Sequence, residues 1–399
     1  MRSPITMRLF RAASVVALIT AGEAALAGLS PTLPVRSSAL RAQAQASPSI
    51  PLVKLLRVNW AWRGDSIEGD YTPVMLVTGV DPASVAIMMH ARKGKTGGGQ
   101  EDVDIDVRMM RSDMDDGHIY RQIWITTDPL VMKGTTSMVL SAGVMRDIAT
   151  KGSAQLTVVD KVTTAGASVD AMVSLMRALT SDSVATGTPY TGTLTRVEPG
   201  TIPFTVLVND RMVTLPTIHI RGTLTHGIDR YASDMQILAD PAFPIVLSAA
   251  IPATANGGHG EGGRVVSITY PDPGATKRLE DDLAAKRPVE IYDIYFDYNS
   301  AAIKPESDSI LRQLGAIMRR HPDWTLRVTG HTDSIGGSGA GNRVLSEHRA
   351  SAVKEALTAR YGVASIRLGT GGAGDSQPLE SNATLEGRAR NRRVELTRE

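Results

Sequence analysis

Thr325-Leu-Arg-Val-Thr-Gly-His-Thr-Asp333 is followed by the glycine-rich stretch Ser334-Ile-Gly-Gly-Ser-Gly-Ala-Gly341 and then by Asn342-Arg-Val-Leu-Ser-Glu-His-Arg-Ala-Ser-Ala-Val353. Thr325 to Thr329 alternates in the manner of a strand, and from about Asn342 to Arg360 the apolar residues Leu345, Val353, Ala356 and Leu357 recur at helical spacing. A strand, a glycine-rich turn and a long helix make half of a βαβ unit. The same grammar continues outward. Upstream, Ile291 to Phe296 reads as a strand, and Ile310, Leu311, Leu314, Ile317 and Met318 form one stripe on a helix opening after Pro305. Downstream, short strands are expected near Ser365 to Leu368 and Val394 to Thr397. The expected architecture is a small α/β sheet of βαβαββ type with helices on one face.

Arg349 is the residue that demands explanation, because it lies four positions from both Leu345 and Val353 on the apolar stripe. A guanidinium on that stripe needs an anion, since removing one partner of a buried ion pair costs on the order of 3–5 kcal/mol. Asp333, at the exit of the preceding strand, is the candidate. Two readings follow. In one, Arg349 and Asp333 form a structural salt bridge. In the other they are the two poles of a site, Arg349 forking onto a ligand carboxylate and Asp333 accepting from a ligand ammonium, as a zwitterionic amino-acid end requires.

Four blocks in order carry a resemblance: Phe296-Asp297-x-Asn299-x-x-x-Ile303; Thr329-Gly-His-Thr-Asp333; Asn342-x-x-Leu345-Ser346-x-x-Arg349-Ala350-x-x-Val353; and Gly387-Arg-Ala-x-Asn391-Arg-Arg-Val-Glu395. Over residues 288–399 the chain resembles the OmpA-like peptidoglycan-binding domain. The resemblance implies noncovalent binding of the peptidoglycan stem peptide through meso-diaminopimelate. Asp333 and Arg349 then take the ammonium and the carboxylate, Thr332, Asn342 and Leu345 line the pocket, and Asn299 to Ala302 form the opposite lip. Two departures stand out: the Asp333 to Asn342 interval is one residue longer than the family pattern, and His348 stands where a second arginine is common. The arginines at 388, 390, 392 and 393 fall in the last block, and with no aromatic neighbours to stack bases they do not indicate nucleic-acid binding.

Before this domain the grammar is different. From about Ile50 to Tyr270 short β-branched runs alternate with turn residues: Val74 to Thr78, Ser84 to His90, Val103 to Met109, Ile119 to Thr126, Thr136 to Ser141, Gln155 to Val159, Phe204 to Val208 and Thr217 to Thr223. Asn209-Asp210 is placed as a tight hairpin turn between Phe204 to Val208 and Arg211 to Leu215. One helix is expected over Val169 to Leu179. The region is expected to be sandwich-like, as β-rich modules at 51–180 and 181–273, joined by a charged, helix-like hinge at 274–287 to the last domain. Its histidines are scattered, with no metal-ligand spacing, and neither a nucleophile elbow nor a phosphate loop is present. No catalytic residue, metal or cofactor is expected.

The chain carries 43 Lys+Arg against 41 Asp+Glu, a net charge of +2, and no Cys among 399 residues. That excludes disulfides, thiolate sites and a lipidated N-terminal Cys, and leaves no global field to attract a polyanion. Arg8 and Arg11, the uncharged run Ala12 to Ala21 and the triplet Ala25-Leu-Ala27 read as a signal peptide, residues 1–27, followed by a flexible leader at 28–50. The expectation is an exported cell-envelope protein of the periplasm or outer membrane, binding peptidoglycan and tethering a β-rich interaction module that could meet outer-membrane or periplasmic proteins. Two alternatives are an outer-membrane β-barrel bearing a wall-binding domain and an exported enzyme positioned on the wall.

Overall fold

The computed structural model describes residues 49–63, 73–94, 100–121, 131, 133–160, 188–251, 261–297, 299–335 and 339–399. The expected signal peptide, most of the leader and the expected helix at Val169 to Leu179 lie outside them.

The β-rich region runs β1 (Arg57–Arg63), β2 (Val74–Val80), β3 (Ser84–Gly94), β4 (Gln100–Met110), α1 (Arg111–Asp116), β5 (Ile119–Arg121), β6 (Thr135–Thr136), α2 (Ala142–Lys151), β7 (Ser153–Asp160), β8 (Thr188–Arg196), β9 (Ile202–Val208), β10 (Arg211–His226), β11 (Asp229–Leu238), β12 (Val246–Ile251) and β13 (Glu261–Thr269). In place of two stacked sheets, these strands form one thirteen-stranded sheet in the order β4-β3-β2-β1-β13-β12-β11-β10-β8-β7-β5-β6, with β9 pairing both β10 and β13. The pairings β9-β10-β11-β12-β13 and back to β9 close a ring, so the sheet curls onto itself and supplies both walls of its core. The stretches expected as separate modules, 51–180 and 181–273, share this sheet and a single apolar cluster that includes Val58, Val77, Ile148, Leu194, Ile220 and Ile268.

Strand alternation sets which face is buried. Along β4, Ile105, Val107 and Met109 are buried while Asp104, Asp106 and Arg108 are exposed. Asn209 and Asp210 take φ of 47° and 61°, the left-handed geometry the hairpin turn needs. Two expected runs, Arg211 to Leu215 and Thr217 to Thr223, fuse into the single strand β10. Pro216, which has no N–H to give, sits where the partner on one edge changes: Arg211 to Thr217 pairs β9, and Ile220 to Thr225 pairs β8. The strand expected at Thr136 to Ser141 is instead a two-residue β6 followed by a helix start. Ser141 Oγ accepts from the Val144 N–H at 3.1 Å and Gly152 ends the helix at φ 76°, so capping chemistry overrides the β-branched signal.

The C-terminal region continues with α3 (Ala275–Ala284), β14 (Val289–Ile291), α4 (Asp308–Arg320), β15 (Leu326–His331), α5 (Gly339–Tyr361), β16 (Leu368–Gly374), α6 (Leu385–Asn391) and β17 (Val394–Arg398). Its four strands lie in the order β14-β17-β15-β16, with β15 and β16 parallel. The expected first strand, Ile291 to Phe296, is shorter: only Val289–Ile291 joins the ladder, and Phe296 makes a lone bridge to Ile303. Ser365–Arg367 is a 3-10 turn, with β16 starting at Leu368. The segment expected as a hinge is structural. Leu279 and Leu283 of α3 join the apolar cluster of this domain with Leu311, Leu314, Val328 and Val353, and Glu280 is bonded by Arg320 at 2.8 Å and His321 at 2.6 Å. Among the described residues no helix is long and apolar enough to cross a membrane.

Candidate functional site

The end of β15 and the start of α5 face each other because Gly330 allows it. A Cβ at that position would lie 2.1 Å from the carbonyl oxygen of Ser346, so only a glycine lets the helix seat there. Beyond Gly330 the chain is fixed by backbone bonds, His331 N–H to Arg393 O at 3.0 Å and Thr332 N–H to Gly374 O at 2.9 Å. These bonds deliver Asp333 to the mouth of a cavity of about 350 Å³. Asp333 is only 8% exposed, and its carboxylate is well supplied. Oδ1 accepts from the Ile335 N–H at 2.9 Å and Oδ2 from Arg392 Nη1 at 2.5 Å, while the Asp333 carbonyl accepts from buried Asn342 Nδ2 at 3.1 Å.

Arg349 is half-buried on α5 and does not bond to Asp333. Its Nε donates to the Ser300 carbonyl at 3.0 Å and its guanidinium lies 5.0 Å from the centre of the Phe296 ring. Its two Nη groups have no partner among the described residues. Burial lowers its pKa to about 10, the Arg392 charge adds to that effect and Asp333 opposes it. The lip is a tight loop: Asn299 has φ 49°, the Asp297 N–H bonds the Ala302 carbonyl at 3.0 Å, and Ser300 Oγ accepts from the Ala302 N–H at 3.0 Å.

Asp333, Thr332, Asn342, Leu345, Asn299 and Arg349 therefore line one cavity. Ala302 does not; it is exposed and acts through its backbone in shaping the loop. Of the two sequence readings, the Arg349–Asp333 salt bridge is absent, since Arg392 takes the carboxylate. Sequence reasoning gave Arg392 and Phe296 no role in the pocket beyond their places in the motif blocks, and named Ser300 only within the Asn299 to Ala302 lip. The signal available for Arg392 was its place in the last motif block, which by itself fits a solvated charge run equally well.

Deeper in the same cavity, His331 is 2% exposed and neither ring nitrogen has a hydrogen-bond partner; burial first, then the nearby Arg393 charge, lower its pKa to about 4. The imidazole is neutral at physiological pH. Among the described residues no group of three or more histidine or acidic side chains is placed to hold a metal ion.

Residues 295–392 match the model of the OmpA family. Within the OmpA domain, this chain is 44% identical over 103 residues to outer membrane porin F of Pseudomonas aeruginosa, covering 26% of this chain and 29% of that protein. It is 40% identical over 105 residues to the probable lipoprotein YiaD of Escherichia coli, covering 26% and 47%, and 38% identical over 126 residues to the peptidoglycan-binding protein ArfA of Mycobacterium tuberculosis, covering 32% and 38%. The chain thus spans well under two thirds of the length of these relatives. Among solved structures, the peptidoglycan-associated lipoprotein from Burkholderia pseudomallei is 28% identical over 29% of this chain and 92% of its own, with a TM-score of 0.25. The cell wall anchor of the T6SS from Pseudomonas aeruginosa is 30% identical over 32% and 96%, with a TM-score of 0.26. The family match at residues 295–392 is preceded in this chain by the β-rich module.

Proposed function

We propose that the OmpA domain binds peptidoglycan noncovalently and thereby tethers the β-rich module to the cell wall. The observation that carries this reading is the free fork of Arg349, half-buried against Phe296 with Nε fixed on Ser300, on the same cavity wall as Asp333. A guanidinium so held is pre-organised for a carboxylate. Asp333 has used one acceptor site on each oxygen, and a carboxylate offers about four, so room remains for an ammonium beside Arg392. The zwitterionic end of meso-diaminopimelate presents both charges on one carbon, with Thr332, Asn342 and Leu345 beneath it and Asn299 at the lip. A relative named for peptidoglycan binding supports the cell wall as the partner.

The module is read as water-facing. Its sheet buries an apolar cluster on the inside and turns Asp104, Asp106, Arg108, Arg221 and Thr223 outward, the reverse of a lipid-facing strand. With an exported leader, the protein belongs to the periplasm or the outer-membrane surface facing it, and acts by binding, not by catalysis.

Sacculus pull-down tests the site. Arg349→Ala and Asp333→Ala should each weaken binding by about 1.5–3 kcal/mol, the worth of a charged hydrogen-bonded contact, or about tenfold to a hundredfold. Folded variants that bind diaminopimelate-containing sacculi as tightly as the parent would refute the assignment.

A further inference from the structure

The cavity that holds Asp333 and Arg349 is not closed by the OmpA domain alone. Its remaining lining comes from the β-rich module, mainly β1 and β13, with Val74 of β2, His90 of β3 and Leu207 of β9. Alternation along β1 sends Val58 into the module's core and turns Arg57 and Asn59 to the opposite side, toward the OmpA domain. Arg57 is half-buried, its guanidinium 4.8 Å from the centre of the Tyr295 ring, and it has no hydrogen-bond partner among the described residues. It lies within the field of Asp293 without bonding it.

Asn59 is more constrained still. It is 4% exposed, and Nδ2 donates to Ser267 Oγ at 2.7 Å and to Tyr295 Oη at 3.4 Å, which pins the amide across the two domains. Its Oδ1 is buried and has no partner, and neither has the hydroxyl of Thr332, 5% exposed, on the OmpA side of the same cavity. A buried acceptor left unpaired is destabilising, so its retention in a cavity wall calls for a donor that arrives from outside the fold.

We infer that the β-rich module completes the ligand site, Asn59 Oδ1 accepting an amide N–H and Arg57 pairing a free carboxylate of the same peptide whose zwitterionic end sits at Arg349 and Asp333. The inference rests on the wall-binding reading above and adds to it a second, peptide-reading half supplied by the module. A cavity of about 350 Å³ is at the small end of ligand pockets and takes a short peptide rather than a single amino acid. The two halves make different demands. Free diaminopimelate satisfies only the OmpA half, whereas a stem peptide carrying diaminopimelate satisfies both.

Isothermal titration of the full-length chain with two probes, free meso-diaminopimelate and a soluble stem tripeptide containing it, separates them. Arg57→Gln should weaken tripeptide binding about tenfold, and Asn59→Ala by somewhat less, with the affinity for free diaminopimelate unchanged in both. Asp333→Ala should weaken both probes. Unaltered tripeptide affinity in Arg57→Gln and Asn59→Ala overturns the inference while leaving the OmpA site standing. Equal losses for both probes in those variants also overturn it, because the module would then support the fold and not the peptide. If the parent binds neither probe, the wall-binding reading itself fails and takes this one with it.

Discussion

The β-rich module and the OmpA domain solve the problem of buried polarity in opposite ways. In the module the buried polar residues are mostly Ser and Thr, and they bond to the backbone: Ser137 Oγ to the Arg121 carbonyl, Thr217 Oγ1 to the Ile202 carbonyl, Ser141 at the start of α2. In the OmpA domain they include Asp333, Asn342, Arg388, Asn391 and Arg393, groups too costly to bury without partners at fixed positions, together with a neutral His331 whose ring nitrogens make no hydrogen bond. Asn391, for example, accepts from the backbone N–H groups of Leu379 and Glu380 and donates to the Glu380 carbonyl. A sheet face built on alternation tolerates many sequences. A buried network of charges and amides tolerates few, and so it writes motifs into the chain.

The sharpest way to break that comparison is to damage one core and watch the other. The two apolar clusters share no residue. Leu314→Ala, at a fully buried position, should cost about 2–5 kcal/mol, and Gly330→Ala, whose methyl would meet the Ser346 carbonyl, about 1–3 kcal/mol or more. Hydrogen exchange followed by mass spectrometry should show both losses in α4, α5 and β14 to β17. Equal acceleration in β10 and β11 would mean that the chain unfolds as one unit.

Much of the OmpA domain was legible because its signals are local. The stripe Ile310, Leu311, Leu314, Ile317, Met318 is buried as the helical period demands, and Asp333, Asn342 and Arg349 line one cavity as their blocks imply. What the sequence hid is long-range. That Arg392, and not Arg349, takes Asp333 depends on where β17 enters the sheet, 59 residues away. The ring closure of the module rests on β9 meeting β13 through only Leu207 with Ser267 and Val208 with Ile268, which no spacing could disclose. The cavity's far wall was invisible for the same reason, since β1 gives a plain alternating pattern until Tyr295 is placed against Arg57 and Asn59.

The junction between the two regions can be sharpened by pH. Asp210 at the hairpin tip accepts the Tyr292 N–H, and burial first, then the charge of Asp293, with a smaller push from Glu290, raises its pKa from 3.8 to about 8. Burial raises Asp293 as well, against the Tyr295 hydroxyl and Arg57. A carboxyl whose folded pKa is raised holds a proton that the unfolded chain releases. Its stability contribution is therefore full below the ordinary 3.8 and is lost as pH rises through about 8. Asp210→Asn keeps an acceptor for Tyr292 and removes the titration. The parent's melting temperature should fall between about pH 5 and about pH 8.5, and the variant's should fall less. Identical pH slopes would show that the hairpin tip is solvated and not a buried contact between the regions.

The smallest expected effect comes from the charged contact across the same junction, between Arg264 of β13 and Glu386 in the first turn of α6. The two side chains are 30% and 32% exposed, so water screens their attraction, and a pair of this kind contributes about 0–1 kcal/mol. Glu386 also faces the positive end of its helix, which the Gln variant gives up. Glu386→Gln should thus lower stability by no more than about 1 kcal/mol, with the loss shrinking in high salt as screening takes over what the mutation removed. Arg264 does more than pair. Its guanidinium stacks 4.4 Å from the centre of the Phe204 ring, so Arg264→Ala removes packing that no salt restores, and its cost should exceed that of Glu386→Gln and persist at high ionic strength. Urea titrations of both single variants and the double variant, at low and high salt, isolate the pair: the coupling should be small and salt-sensitive, while the Phe204 contribution stays constant. A large, salt-independent coupling would place this contact among the buried polar groups of the OmpA domain and erase the distinction between the two regions at their border.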